Sequence, residues 1–205
     1  MSEYEALLQT LALTAGVGWA SGINLYATIA ALGIAGATGN ADLPASLAVV
    51  QDPLVISAAA IMYCIEFVAD KIPGFDSIWD GLHTFIRIPA GALLATAAVG
   101  DVTPALAVAA GIGGGVLSTT THAAKSGTRA LINTSPEPFT NWGASVTEDL
   151  SVFGGMWLAF SHPLQFLFVF VLFVVVLIWA MPKLWRSIRN VWRRVGRWLG
   201  LVRAS

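Results

Sequence analysis

The sequence predicts an all-α, polytopic helical membrane bundle of about six membrane segments, and three observations carry that prediction. Hydrophobic residues make up 56% of the chain and charged residues only 11%, with a mean hydropathy of +0.73. A soluble domain is about 25% charged, so this supply could not cover a water-facing surface. The apolar residues are gathered into stretches near the ~20 residues that a spanning helix needs. The third observation is charge asymmetry. Lys71, Arg87, Lys125, Arg129 and the run from Lys183 to Arg203 all fall on one side of a six-pass arrangement, whereas the opposite turns carry Asp42, Asp52 and Asp101. This is the positive-inside pattern, and it reads the basic side as cytoplasmic.

The first segment runs from Ala6 to about Ala35, with Ser21, Asn24 and Thr28 forming a polar mid-membrane patch. Its acidic start, Glu3 and Glu5, is wrong for a signal peptide, so it is expected to stay in the mature chain. A turn from Gly36 to Gln51 follows. The second segment opens at Asp52-Pro53, where proline suits the first helical turn, and runs to Ile72 before Pro73-Gly74 ends it. The third extends from Asp76 to Val99 and is expected to break at Pro89. After the Asp101–Pro104 turn the fourth spans Ala105 to Ala124. A proline-rich loop, Asn133-Thr-Ser-Pro-Glu-Pro138, leads to the fifth, Trp142 to Phe160, which is short and polar at its start. His162-Pro163 opens the sixth, Leu164 to Met181, the least polar of all. Six passes leave both termini in the cytoplasm, whereas five or seven would divide the basic residues between the two faces.

The organisation is thus a transmembrane domain over residues 1–182 and a basic tail over 183–205. In the tail, Trp185, Ile188, Trp192, Val195 and Leu199 recur at helical spacing, and Arg186, Arg189, Arg193 and Arg197 lie largely away from them. That is an amphipathic helix suited to an anionic lipid leaflet, and the alignment of its tryptophans argues against nucleic acid. Ala15-Gly-Val-Gly18 and Ala110-Gly-Ile-Gly113 are alike, which admits a 3+3 inverted repeat of the kind many transporters use. Gly18 with Gly22, and Gly111 with Gly115, are GxxxG pairs that support close helix packing and leave a homo-oligomer open. The single cysteine, Cys64, excludes a disulfide framework and reads as a buried, inert thiol.

Chemistry is concentrated in four polar stripes. Asp76, Asp80, His83 and Arg87 are spaced four, three and four, so a helix places them on one face, with Ile78, Leu82 and Phe85 opposite. Only eleven residues follow from Pro89 to Val99, roughly 16 Å of helix at about 1.5 Å per residue. That is about half of the ~30 Å hydrocarbon core, so either the stripe enters the membrane or the segment is re-entrant. The plainer alternative is an interfacial amphipathic helix that turns inward at Pro89. The fifth segment meets the same difficulty: from Leu150 onward it is too short, and an earlier start carries Glu148 and Asp149 below the surface. A short first turn stabilised by the helix dipole explains those two carboxylates equally well. Glu66 and Asp70 sit four apart at the end of the second segment. His122, Lys125 and Arg129 close the fourth, preceded by Ser118 to Thr121, whose hydroxyls are expected to bond their own backbone. With Glu137 in the loop, these charges form a candidate ion- or ligand-binding vestibule. Mutual neutralisation inside the bundle accounts for the same pattern.

No P-loop, HExxH, GxSxG, CxxC or dinucleotide fingerprint occurs, so no cofactor and no catalytic residue is assigned. Asp76, Asp80 and His83 are too loosely spaced to specify a metal. Three segments, Glu66-Phe-Val-Ala-Asp-Lys-Ile-Pro73, His83-Thr-Phe-Ile-Arg-Ile-Pro-Ala-Gly91 and Asn133-Thr-Ser-Pro-Glu-Pro-Phe139, resemble a bacterial membrane family known as domain of unknown function 4126, and Ala20-Ser-Gly-Ile-Asn-Leu-Tyr26 fits it too. The resemblance implies a polytopic protein of the bacterial inner membrane and ties the charged segments into one site. It implies no substrate. The function expected from the residues is a small transporter or channel for a solute or ion. A membrane-embedded enzyme acting on lipid headgroups and an assembly factor are the alternatives.

Overall fold

Asparagine, aspartate and proline set most of the helix boundaries. The computed structural model describes residues 3–72, 74–134 and 138–198, and every regular element among them is helical. Helix α1 (Glu3–Ile23) and helix α2 (Leu25–Ala37) are separated by Asn24 alone. Asn24 is extended, at φ −147° and ψ 99°, and its side-chain oxygen caps α2 by accepting from the Ala27 amide at 2.9 Å. The first segment is therefore broken, where the sequence suggested one continuous span. A 3₁₀ helix (Ala45–Gln51) then meets α3 (Pro53–Ala69) at a 64° bend. Asp52 at that bend caps the Leu54 amide at 2.7 Å. Helices α4 (Phe75–Ala98), α5 (Pro104–Ile132), α6 (Pro138–Ser161) and α7 (Pro163–Trp198) complete the chain.

Two expected breaks are absent. The third segment passes through Pro89 as one 24-residue helix, and the fifth is also an unbroken helix of 24 residues. Pro89 lies on the exposed face, so it forfeits the bond to the Phe85 carbonyl without ending the helix. Each of these helices is about 36 Å long, more than the hydrocarbon core requires. The fourth segment runs eight residues beyond Ala124, keeping Lys125 and Arg129 on the helix. The two stretches that suggested a repeat also diverge, since α1 stops at Ile23 while α5 continues over 29 residues.

Polarity runs opposite to that of a soluble protein. Phe85 is 83% exposed and Leu54 79%, whereas Arg87 and Arg129 are fully buried. An exterior this apolar must be covered by lipid. By length and composition α1, α5 and the Pro163–Arg193 part of α7 are able to cross a membrane, and the bent 3₁₀–α3 pair makes a fourth span. Helices α4 and α6 are long enough but carry the charged stripes. Cys64 is exposed on α3 beside an apolar groove formed with Ile61, Ile65 and Phe75, so the expectation of a buried thiol is corrected: it faces the lipid side.

Helix α1 forms the centre, buried from Ala12 to Ile23 except at Thr14 and Ala15 and packed by α4, α5, α6 and α7. The α1–α5 crossing has no room for side chains. A Cβ on Gly18 would come within 2.9 Å of the Gly114 Cα, and one on Gly22 would overlap the Thr121 hydroxyl and the Ser118 carbonyl. On α5 the small residues at this contact are thus Gly114 and Ser118, while Gly111 and Gly115 face Thr96 and Ala92 of α4. Trp19 fills the other side of α1, with its ring against Phe166 and Phe173 of α7.

Helix α7 does not stop at residue 182. It continues through Pro182 to Trp198, a length of about 54 Å. Leu184 and Ile188 pack at Gly127 of α5, while Trp185 and Trp192 are 69% and 70% exposed. The face expected to enter lipid therefore divides: Ile188 belongs to the bundle and the tryptophans do not. The side chains of Val195, Arg197 and Leu199 lie outside the described residues.

Overpacking of this kind costs about 1–3 kcal/mol. Gly22→Ala is therefore expected to lower the melting temperature in detergent clearly. Gly81→Ala and Gly154→Ala, at positions where a Cβ meets nothing within 4 Å, should leave it unchanged or raise it. Equal melting of all three variants would show that the α1–α5 crossing is not under this constraint.

Candidate functional site

Helical spacing brings the charges together. Along α4, Asp76, Asp80, His83 and Arg87 all point inward and are at most 6% exposed, as their spacing predicted. Along α5 the inward face is Ser118, Thr121, His122, Lys125 and Arg129, and α3 ends with Glu66 and Asp70 buried. Helix α6 contributes Asn141, Ser145, Glu148 and Asp149.

Arg87 lies at the centre. Its guanidinium pairs with Glu66 at 2.5 Å and with Asp80 at 2.8 Å. Lys125 reaches Asp70 at 2.8 Å, Glu66 at 3.2 Å, Glu148 at 3.5 Å and Asp80 at 3.7 Å. Arg129 donates to both Glu148 oxygens, at 3.2 and 2.8 Å, and its Nη1 donates to the carbonyls of Asp70 and Asn141. Three cations from two helices thus hold carboxylates from three. In lipid such groups are tolerated only when they are paired within the protein.

His122 has a fixed role in this network. Arg87 donates to its Nδ1 at 3.1 Å, and because a guanidinium carries donors only, Nδ1 must accept. The ring proton therefore sits on Nε2, 2.7 Å from the Thr84 hydroxyl oxygen, and the imidazole is neutral. His83 does not enter the ion pairs. Its Nδ1 donates to the Trp79 carbonyl, its Nε2 meets the Tyr26 hydroxyl at 3.1 Å, and its ring stacks on Trp79. Asp76 also stands apart, accepting from Ser77 N and from Asn133 Nδ2; Asn133 in turn accepts from Asn141, which contacts Arg129. Glu137 lies outside the described residues.

The break after α1 belongs to the same site. Lys125 donates to the carbonyl of Ile23, the last residue of α1, at 3.1 Å, so a cation stands at the negative end of that helix. Asn24 donates from Nδ2 to Asp149 at 3.2 Å while its oxygen caps α2. Of the predicted polar mid-membrane residues, only Asn24 reaches the site. Thr28 bonds its own helix at the Asn24 carbonyl, and Ser21 bonds the Val17 carbonyl. Among the hydroxyls before His122, Thr119 and Thr120 bond their own backbone as expected. Thr121 does so too, at the Leu117 carbonyl, and also reaches the Trp19 carbonyl of α1, whereas Ser118 crosses to the carbonyl of Arg87.

A cleft of about 210 Å³ opens beside the network, bordered by Ile23, Lys125, Thr128, Glu148 and Ser151. At the margin, Lys71 donates to the Ser145 hydroxyl at 3.3 Å. Burial holds Lys71 below the ordinary lysine value, against the pull of Asp149 and Asp70 in the other direction. Asn133, Asn141, Tyr26 and Thr84 were not singled out from the sequence. The signal for Asn141 was its seven-residue spacing to Glu148, two helical turns on one face.

Removing one member of a buried pair strands its partner, at a cost of about 3–5 kcal/mol. Arg87→Met is expected to destabilise strongly, as measured by thermal unfolding in detergent, and adding Glu66→Gln should restore part of the loss. A double variant less stable than Arg87→Met would contradict this account.

No curated protein and no solved structure matches the chain. The model of the family described as Domain of unknown function (DUF4126) matches residues 11–183. That match takes in all of the described site, and the chain belongs to this family.

Proposed function

We propose that the protein is a small transporter of the bacterial inner membrane that moves a small cation through a charged cytoplasmic vestibule. The observation that carries this reading is the junction of a broken helix with a buried charge network. The free carbonyl end of α1 and the capped start of α2 meet Lys125 and Asp149 at one point. Irregular backbone at membrane depth is tolerated where it lines a site, and transporters place their ion and substrate sites at such breaks. The adjoining cleft supports the same reading, since Lys125 and Glu148 border it and connect it to the network.

Gln9 of α1 lies beside Asn40 and Phe160, at the end of the bundle away from the charged network, whereas Ile23 reaches Lys125. Helices α1 and α2 therefore run in opposite directions, and the start of α1 and the basic end of α7 lie on opposite faces, which corrects the expectation of a single span from Ala6 to Ala35 with both termini in the cytoplasm. In this reading the basic end of α7 is cytoplasmic. The charged network then lies toward the cytoplasm. The exposed Trp185 and Trp192, with Lys183, Arg186 and Arg189, face the anionic leaflet. A role in assembly is the second reading, favoured by the pairing of Arg87, Lys125 and Arg129 to carboxylates.

Proteoliposomes carrying imposed proton, sodium or potassium gradients, followed with a potential-sensitive dye, test transport. The intact protein is expected to dissipate at least one gradient faster than protein-free vesicles. Dissipation of none would leave the assembly role. Topology is tested separately, in a Cys64→Ser background, by membrane-impermeant labelling of Asn40→Cys and Thr134→Cys. Asn40 should label from outside and Thr134 only after the membrane is opened; the reverse pattern would overturn this orientation.

A further inference from the structure

We propose that Asp149 binds the proton that this protein exchanges across the membrane, a conclusion that rests on the transport reading and names its ion. The charge balance of the site is the first support. Glu66, Asp70, Asp76, Asp80 and Asp149 are at most 7% exposed, and Glu148 joins them. Against these six carboxyl groups stand three cations within ion-pairing distance, Arg87, Lys125 and Arg129. His122 is neutral, as its bond from Arg87 requires. Counting the marginal Lys71 and His83 as fully charged brings the positive groups to five, one short of six. A net negative charge is held poorly inside an apolar solvent, and a bound proton removes it.

Geometry selects Asp149 from the six. Glu66, Asp70, Asp80 and Glu148 each have a cation within 4 Å. Asp76 has none and its Oδ2 is also unpartnered, but it accepts two hydrogen bonds on Oδ1 and sits in the first turn of α4, where the helix dipole favours its charge. Asp149 has no cation at that distance; it accepts the 3.2 Å bond from Asn24, has the neutral hydroxyl of Tyr63 beside it, and carries a buried Oδ2. It is the carboxyl whose ionised form receives the least support, and Oδ2 is where a proton would attach. The titratable groups around it are Tyr63, Asp70 and Lys71 from the α3 end, Lys125 from α5 and the adjacent Glu148. Helix α1 from Gln9 to Ile23 and helix α7 from Pro163 to Met181 contain no titratable residue, and Tyr26 of α2 is bonded to His83.

A proton fits this site better than a metal cation. Metal ions need several oxygens converging on one point, and among the described residues no group of three or more His, Cys, Asp and Glu is arranged to hold one. The step itself is simple and balanced: H⁺ joins Oδ2 to form an O–H bond and leaves again as H⁺ to water, with no change of oxidation state. Asn24 couples the event to the helix break, because the same amide holds Asp149 and caps α2.

Infrared difference spectroscopy of the full chain in lipid nanodiscs, stepped from mildly acidic to mildly alkaline pH, reads the proton directly. One protonated-carboxyl band is expected to disappear as pH rises. It should be missing in Asp149→Asn, shifted in Asp149→Glu and retained in Asp76→Asn. The proposal is overturned if no carboxyl titrates, if the band survives in Asp149→Asn, or if sodium at constant pH removes it. Proteoliposomes with an imposed pH gradient separate this proposal from the transport reading. A titrating Asp149 without proton flux would leave the proton site and overturn transport, whereas flux without a titrating carboxyl would overturn the proton site alone.

Discussion

Everything in this fold depends on burying Arg87, Lys125 and Arg129 where lipid surrounds the protein. Each cation must find its counter-charges inside the chain, because lipid supplies none. The eight close ion pairs among these residues and Glu66, Asp70, Asp80 and Glu148 are therefore a constraint on geometry before they are a source of stability. They fix the rotation of α4 and α5 about their axes and the height of the α3 terminus. Buried ion pairs commonly return little net stabilisation against an apolar replacement of the same shape.

The packing around the network follows from that constraint. Arg87 and Lys125 can share Glu66 only if α4 and α5 lie close, and small residues permit it: Gly91 would collide with Ser118 if it carried a Cβ, and Gly114 would collide with Ala95. The same crossing admits α1 through Gly18 and Gly22. Ser118 then satisfies a carbonyl on α4, and Thr121 is shared between its own helix and a carbonyl on α1. The glycine-lined crossing and the charged site are one piece of architecture. A change that separates α1 from α5 removes the Ile23 carbonyl from Lys125 as well.

Much of this was legible in the residues because both signals are periodic. The stripe Asp76, Asp80, His83, Arg87 and the stripe His122, Lys125, Arg129 need only a helix to face one way, and all of these side chains are buried. Family membership was carried by the charged segments themselves. What misled was punctuation. Proline at position 89 suggested a break, yet a proline on the outer face costs one hydrogen bond and leaves the helix intact. The break falls instead at Asn24, inside an apolar run with no glycine or proline at that position. Asparagine there reads as one more polar residue until its two roles, capping Ala27 and holding Asp149, are seen together. The tail misled for a similar reason. Its spacing describes an amphipathic helix correctly, but spacing cannot say that Ile188 would be used to pack against Gly127.

Asn24 gives the break and the surplus of carboxyl groups a common explanation. A backbone interruption inside lipid exposes carbonyls of α1 and amides of α2 that need partners. Lys125 takes the Ile23 carbonyl, and Asn24 takes the Ala27 amide with its own side chain. Both repairs use groups that also touch carboxylates, Lys125 through Asp70 and Asn24 through Asp149. The charge state at those carboxylates therefore bears on whether the two ends of the break stay satisfied. Protonating Asp149 weakens its hold on the Asn24 amide without touching the ion pairs around Arg87. On the proposal that Asp149 is the proton site, a proton there would act on the break through Asn24, which holds Asp149 with its amide and caps α2 with its oxygen.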